Sequence, residues 1–309
     1  MGATYRVPCI ADRCRARPAK RTREATTAGV TDVASVARHT LPMSVEQVFG
    51  LAGRVALVTG AGSPTGIGFA AARLLHSLGA SVVVGATTAR VHDRAAALDP
   101  SGSRAAGVVA DLTTDAGAQA AVAAAVEVFG GLDVLVANAG MTSVADPAMH
   151  EGTVTAISPE AWSASLARNL DTAFLTLRAA LPALRRSGAG RVVTVASVTG
   201  PVMAMRGEAA YAAAKAGLVG LTRSVALDEA AAGITANVVA PGWIETGSQL
   251  PHEAAEGRHT PLGRSGTAEE VAAVIAFLAG PAAAYLTGQV IVVDGGNAIA
   301  EERLPTARE

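Results

Sequence analysis

Lysine is almost missing from this 309-residue chain. Of its 25 basic residues, 23 are arginine; only Lys20 and Lys215 are lysine. Aromatic residues are scarce too, with tyrosine confined to Tyr5, Tyr211 and Tyr285. The two cysteines, Cys9 and Cys14, have no histidine or further cysteine nearby, which is a poor zinc pattern, and no metal site is expected. Two cysteines build no disulfide framework, which fits a cytoplasmic setting. A formal net charge of −1 makes no case for nucleic acid or an anionic membrane as partner. No apolar run approaches the roughly 18 residues that span a bilayer. The longest candidates, such as "VAAVIAFLAG", have the length of a core helix.

Half of the residues are apolar and 17% are charged, the balance of a core-rich globular domain. Residues 1–45 stand apart. The segment "DRCRARPAKRTRE" is arginine-dense, no hydrophobic periodicity follows it, and it lacks the apolar centre of a secretory signal. It reads as a disordered basic leader. Its arginine-rich, acid-poor composition faintly resembles a transit peptide, and Met43, which opens "MSVEQVFGLAGRVALVTG", reads as a natural start. From residue 51 to about 300 the pattern alternates, and residues 301–309 form a short tail. The runs "RVALVT", "SVVVG", "AGVVA", "LDVLVA", "RVVTVA", "TANVVA" and "QVIVV" are separated by alanine-rich helical stretches beginning near Thr65, Val91, Thr114, Pro159, Ala209 and Thr267. Continuous apolar strands alternating with helices predict a parallel sheet covered on both faces. The fold class is therefore α/β, a doubly wound, Rossmann-type sheet of about seven strands in one domain.

The first strand runs directly into "TGAGSPTGIG", residues 59–68, and then into a helix. Glycines at such a turn let the backbone approach a pyrophosphate, and the helix N-terminus faces its charge. The position after the first strand is the context that gives the pattern meaning. Here the chain resembles the short-chain dehydrogenases/reductases: Thr59, Gly60, Gly66 and Gly68 match the family's Thr-Gly-x-x-x-Gly-x-Gly loop. Five residues, "AGSPT", stand where the family usually has three. Either the loop is longer, or Gly62 takes the role of the first glycine. Contacts to the cofactor are expected from Gly60, Gly66, Ile67 and Gly68.

The end of the second strand reads the ribose 2′ position, where an acid selects NAD. No acid follows in "VVVGATTAR"; Ala86 holds the acid's usual place, followed by Thr87, Thr88 and Arg90. Hydroxyls and a guanidinium suit a phosphate, so NADP is favoured over NAD. The family resemblance implies that Asp111, next to Leu112, contacts the adenine amino group; Asp111, Thr113 or Thr114 also qualifies as a cap of the next helix. "ANAG", residues 137–140, resembles the family's Asn-Asn-Ala-Gly with Ala137 in place of the first Asn. It implies that Asn138 steadies the sheet edge, and that Ala139 and Gly140 pass the cofactor ribose. In "NVVAPGWIETGS" the resemblance places Pro241 and Gly242 under the nicotinamide, with Ile244 and Thr246 bracketing its carboxamide.

"YAAAK" puts Tyr211 and Lys215 at i and i+4 of a strong helix pattern, on one face. Acid catalysis near neutrality asks a phenol to ionise about three units below its ordinary 10, or roughly 4 kcal/mol. A positive charge about 4 Å away, at an effective dielectric near 20, supplies about that much. Lysine, a compact charge with three donors, suits the task better than arginine. The resemblance implies that Tyr211 donates the proton, that Lys215 also holds the ribose, and that Ser197, fourteen residues earlier, hydrogen-bonds the substrate carbonyl. Thr194 and Thr199 are its hydroxyl rivals, although Thr194 should face the other side of the strand. Asn169, a poor mid-helix choice, is implied to hold a water beside Lys215 in a proton relay.

The segment "SQLPHEAAEGRHTPLGR" reads as a mobile substrate lid, and Trp243 with "PVMAMR", residues 201–206, as lining of an apolar substrate pocket. The resemblance covers residues 51–299. Its nearest group looks like the bacterial 3-oxoacyl-acyl-carrier-protein reductases, for which Arg168, Arg178, Arg185 and Arg186 are candidate docking residues. It also implies a homotetramer packed through the helices holding Asn169 and Tyr211 and through the last strand. The expected activity is NAD(P)-dependent hydride transfer between nicotinamide and a small-molecule carbonyl or alcohol carbon. A non-catalytic cofactor-binding scaffold or redox sensor is the alternative. A serine hydrolase fails, since no Gly-x-Ser-x-Gly elbow exists and the six histidines lie outside the motifs.

Overall fold

The computed structural model describes residues 44–141 and 152–301; the expected basic leader and C-terminal tail lie, but for their innermost residues, outside the described ones. All seven apolar runs form strands: β1 (Val55–Thr59), β2 (Ser81–Ala86), β3 (Ala105–Val109), β4 (Val134–Ala137), β5 (Arg191–Val195), β6 (Thr235–Pro241) and, closing the sheet, β9 (Val290–Val293). They pair in parallel in the order β3-β2-β1-β4-β5-β6-β9. A separate two-stranded pair joins β7 (Ile244–Glu245) to β8 (Gly266–Thr267). The chain reverses its direction of winding between β1 and β4, and ligands of such sheets bind at that switch point, outside the strands' carboxyl ends.

The period-2 alternation of the strands separates two cores. Ala56 and Val58 of β1, with Val82 and Val84 of β2, face helices α2 (Ile67–Ser77), α3 (Arg90–Leu98) and α9 (Ala268–Ala279). Val55, Leu57 and Val83 face the other way, toward α4 (Asp115–Phe129), α6 (Thr172–Ser187) and α7 (Ala209–Asp228). Every residue of β1 is buried, which is why its sequence shows no polar alternation.

The helix starts obey local chemistry. Thr114 caps α4 by accepting the Gly117 N–H, and Thr267 forms a capping box with Glu270 at α9. Two features depart from the sequence reading. The single long helix expected from Pro159 is broken: α5 (Pro159–Leu166) passes through a π turn, Ala167–Asp171, before α6. The stretch read as a mobile lid contains helix α8 (Pro251–Arg258), started by Pro251 and by Glu253, whose carboxylate accepts the Leu250 N–H at 2.7 Å. A short helix, α1 (Val45–Phe49), precedes β1.

The amino ends of the strands, opposite the ligand side, are tied by Asp133. Its carboxylate accepts the Val55 N–H at 2.8 Å, Arg54 at 3.1 Å and the Ser187 hydroxyl at 2.5 Å. Asp133→Ala should therefore lower stability by about 2 kcal/mol, because the Val55 N–H loses its partner. A shift of the urea midpoint with the nicotinamide dissociation constant unchanged would match this; lost cofactor binding with unchanged stability would contradict it.

Candidate active site

The carboxyl ends of β1 and β4 are held together by two polar side chains. Thr59 Oγ1 donates to Val136 O at 3.3 Å and accepts the N–H groups of Asn138 and Ala139, each at 3.0 Å. Asn138 Nδ2 returns hydrogen bonds to Thr59 O at 3.0 Å and Gly60 O at 3.2 Å. The approach is so close that a methyl on Gly60 would lie 2.8 Å, and one on Gly68 2.6 Å, from Asn138 Nδ2. Gly60 also has φ +68°, where side chains are strained. Helix α2 opens at Gly66, which supplies no side-chain cap. Its first N–H groups face the crevice without a capping oxygen, which suits a pyrophosphate. In the turn before Gly66, Ser63 O accepts the Gly66 N–H at 3.5 Å, and α2 itself begins at Ile67.

Farther along the crevice, Thr87, Thr88 and Arg90 follow β2, with Arg90 Nε donating to Thr88 Oγ1 at 3.3 Å. Asp111 follows β3; its Oδ1 accepts the Thr113 N–H at 3.0 Å and hydroxyl at 2.6 Å, while the cap of α4 belongs to Thr114. Asp111 is exposed and Leu112 is buried. Beyond β6, Gly242 packs so tightly on Asp294 that an added methyl would lie 2.7 Å from its Cβ. Pro241 is the last residue of β6, Ile244 opens β7, and Thr246 shares a 3.0 Å hydrogen bond with Ser248.

The four side chains singled out as catalytic meet at the carboxyl ends of β4 and β5. Ser197 lies two residues past β5 and is a hydrogen-bond partner of the Tyr211 phenol. Its rival Thr194 is fully buried against Thr222, at 2.8 Å, and Thr199 donates its N–H to Ser197 Oγ at 3.1 Å. Lys215 is buried, with Nζ donating to Val195 O at 3.2 Å and lying 5.5 Å from the Tyr211 ring centre. Gly140 shows how near Asn169 comes: a methyl there would sit 3.0 Å from Asn169 Oδ1 and 3.2 Å from Lys215 Nζ. Asn169 Oδ1 accepts the Met141 N–H at 2.8 Å, and its Nδ2 donates to Ser165 O at 3.1 Å. Asn169 is set in the π turn, a helix distortion often found where a side chain must be aimed. Met141 adopts φ +58°, a strained backbone for a non-glycine residue, held there by Asn169.

The electrostatics differ from the sequence expectation. Burial pushes the Tyr211 phenol up to about 12, opposed by its bond with Ser197 and aided by the charges of Glu208 and Glu253. Burial likewise pushes Lys215 down to about 8. The Lys215 ammonium was expected to draw the phenol down. The low-dielectric surroundings instead disfavour both charged forms. Sequence reasoning missed Glu208 and Glu253. Glu253 lies 42 residues from Tyr211 in sequence, and no spacing rule links them.

The arginines considered for carrier docking are largely engaged elsewhere. Arg178 pairs with Asp115 at 3.1 Å, Arg185 grips Glu229 with two bonds of 2.7 and 2.5 Å, and Arg186 bonds Pro182 O at 3.0 Å. Among the described residues no cluster of three His, Cys, Asp or Glu side chains converges, and no helix is long and apolar enough to cross a membrane.

The chain matches the family model described as enoyl-(acyl carrier protein) reductase over residues 60–298. It is 42% identical over 247 residues to cis-4-hydroxycyclohexanecarboxylate dehydrogenase of Sinomonas cyclohexanicum, covering 79% of this chain and 96% of that one. It is 39% identical over 250 residues to the 3-oxoacyl-acyl-carrier-protein reductase FabG of Vibrio cholerae, covering 80% and 98%. Among solved structures, a dehydrogenase/reductase from Sinorhizobium meliloti 1021 superposes with a TM-score of 0.74 at 31% identity, covering 82% of this chain and 98% of that one. With this sheet order, this glycine loop and these relatives, the chain belongs to the short-chain dehydrogenase/reductase family and is an NAD(P)-dependent oxidoreductase acting between CH–OH and C=O.

Proposed function

We propose that the chain is an NADP-preferring carbonyl reductase in which Tyr211 passes the proton to the substrate oxygen. The chain of neighbours from Ser197 through Tyr211 and Lys215 to Asn169, the last two beside Gly140, carries this reading. The nicotinamide, when bound, supplies or accepts the hydride. Gly60, Gly66, Ile67 and Gly68 would hold its pyrophosphate against the start of α2. Asn138, Ala139 and Gly140 would flank the ribose, Asp111 and Leu112 the adenine, and Pro241, Gly242, Ile244 and Thr246 the nicotinamide end. Thr87, Thr88 and Arg90 would receive a 2′-phosphate, supported by the Arg90–Thr88 pair and the lack of an acid after β2.

Ser197 orients the substrate carbonyl toward Tyr211. With its phenol pushed up to about 12, Tyr211 stays protonated at neutral pH, the form that donates during reduction. Lys215, charged below about 8, stabilises the phenolate left behind. Asn169, fixed by its bonds to Met141 and Ser165, keeps a polar route toward solvent beside Lys215.

The substrate class is a hydrophobic carbonyl, with a 3-oxoacyl thioester as first candidate, supported by the FabG relatives and by exposed Val202 and Met205 in the loop after Ser197. Oxidation of a cyclic alcohol is the second reading, favoured by the 42% identity to a hydroxycyclohexanecarboxylate dehydrogenase. A homotetramer is supported by Phe174 on α6 and Val292 on edge strand β9, both apolar and exposed. The compartment proposed is the cytoplasm, supported by the lack of a disulfide framework in the sequence.

A panel of 3-oxoacyl thioesters, cyclic ketones and cyclic alcohols, followed at the nicotinamide absorbance with NADPH and NADH, tests substrate and cofactor together. Tyr211→Phe should cut turnover at least about a thousandfold while NADPH still binds; retained turnover would remove Tyr211 from the proton step. Lys215 makes stability depend on pH. The folded chain releases its proton near 8 and the unfolded chain near the ordinary 10.5, so between these values the unfolded state binds more protons and stability rises with pH. Lys215→Met abolishes that rise. Its stability relative to wild type should be greatest below pH 8 and decline by up to about 3 kcal/mol toward pH 10.5, read from urea midpoints.

A further inference from the structure

The lengthened glycine loop makes a contact that the pyrophosphate reading does not use. Thr65, directly before the N-cap Gly66 of α2, accepts the Gly247 N–H on its Oγ1 at 2.9 Å. The fit is close at that atom: a methyl on Gly247 would lie 2.6 Å from Thr65 Oγ1, while the next atoms, Ser63 Oγ and Thr65 Cβ, are 3.9 Å away. Gly247 belongs to an excursion that leaves the domain at β7 and returns at β8, closed at its base by the pairs Ile244–Gly266 and Glu245–Thr267.

Within this excursion, α8 is fastened at its carboxyl side. Thr260 is buried and shares its one hydroxyl proton between the carbonyls of Gly257 and Arg264, and Gly257 packs directly on Ser265, whose hydroxyl also accepts Gln249 Nε2, from just ahead of the helix, at 2.9 Å. On its amino side the excursion reaches the glycine loop through Thr65. The excursion follows the carboxyl end of β6, on the ligand side of the sheet, and carries α8 at the rim of the crevice.

We propose that Thr65 is a positioning residue that fastens the segment leading into α8 to the glycine loop, so that a dinucleotide phosphate held by the loop steadies this rim of the crevice and tightens substrate binding. The inference rests on the reading of residues 59–68 as the pyrophosphate loop. It assigns Thr65 a task in substrate binding, separate from the loop's part in holding phosphate.

Hydrogen exchange over residues 247–258, with and without NADPH, reads the coupling directly, and wild-type NADPH binding by fluorescence tests the loop reading first. NADPH should slow exchange there about fivefold in wild type and in Thr65→Ser, which keeps the acceptor, and leave it nearly unchanged in Thr65→Val. In Thr65→Val the carbonyl KM should rise about fivefold, more than kcat falls and more than the NADPH dissociation constant shifts. Gly247→Ala should raise KM on its own and add little in a Thr65→Ala background, since the clash is with Thr65 Oγ1. Full NADPH protection of 247–258 in Thr65→Val, equal loss in the Ser and Val variants, or additive effects of Gly247→Ala and Thr65→Ala would overturn the proposal. Wild type that binds neither NADPH nor NADH would overturn the loop reading itself, and the proposal with it.

Discussion

The hydrogen bonds between Thr59 and Asn138 set the register on which the crevice depends. They join the carboxyl ends of β1 and β4, the two strands between which the winding reverses. On one side the clamp fixes Gly60 and Gly68, and with them the start of α2. On the other it launches residues 138–141 toward Asn169 and Lys215. One buried threonine thus sets the distance between the part of the crevice suited to phosphate and the part suited to proton transfer. Both flanks need glycine because Asn138 leaves no room for a side chain.

At the reacting end the protein favours neutral groups. Lys215 is buried and Tyr211 is half-buried at the crevice, and desolvation moves each away from its charged form. For a reductase this is a workable starting point, since the phenol must begin protonated to donate. Glu208 and Glu253 press in the same direction on the phenol, and Ser197 presses against it. Desolvation is the largest of these influences, and the smallest, Glu253, comes from α8, an element distant in sequence.

Much of this was legible in the sequence. The seven apolar runs fall on the seven strands of the main sheet because a strand buried on both faces is apolar throughout. Thr114, Pro159 and Thr267 mark helix starts because capping is local chemistry. The π turn at Asn169 was not legible. It follows from contacts that Asn169 makes with Met141, which is 28 residues away, and no helical periodicity encodes it. Helix α8 was read as lid alone. Its signals, Pro251 followed by Glu253, were present, but they stand in a polar segment without an apolar stripe.

By itself the sequence determined the fold class, the strands, the glycine turn and the Tyr211–Lys215 spacing, because each of these follows from local periodicity or helix geometry. Only the tertiary structure decided how those parts face one another. It brought Gly140 between Asn169 and Lys215, gave Thr194 to Thr222 and left Ser197 to Tyr211, and reversed the expected direction of the phenol's shift. The physical reason is common to all three: they depend on burial and on contacts between segments far apart in the chain, and the energy of a charge or a hydroxyl is set by what surrounds it, whatever its sequence neighbours are.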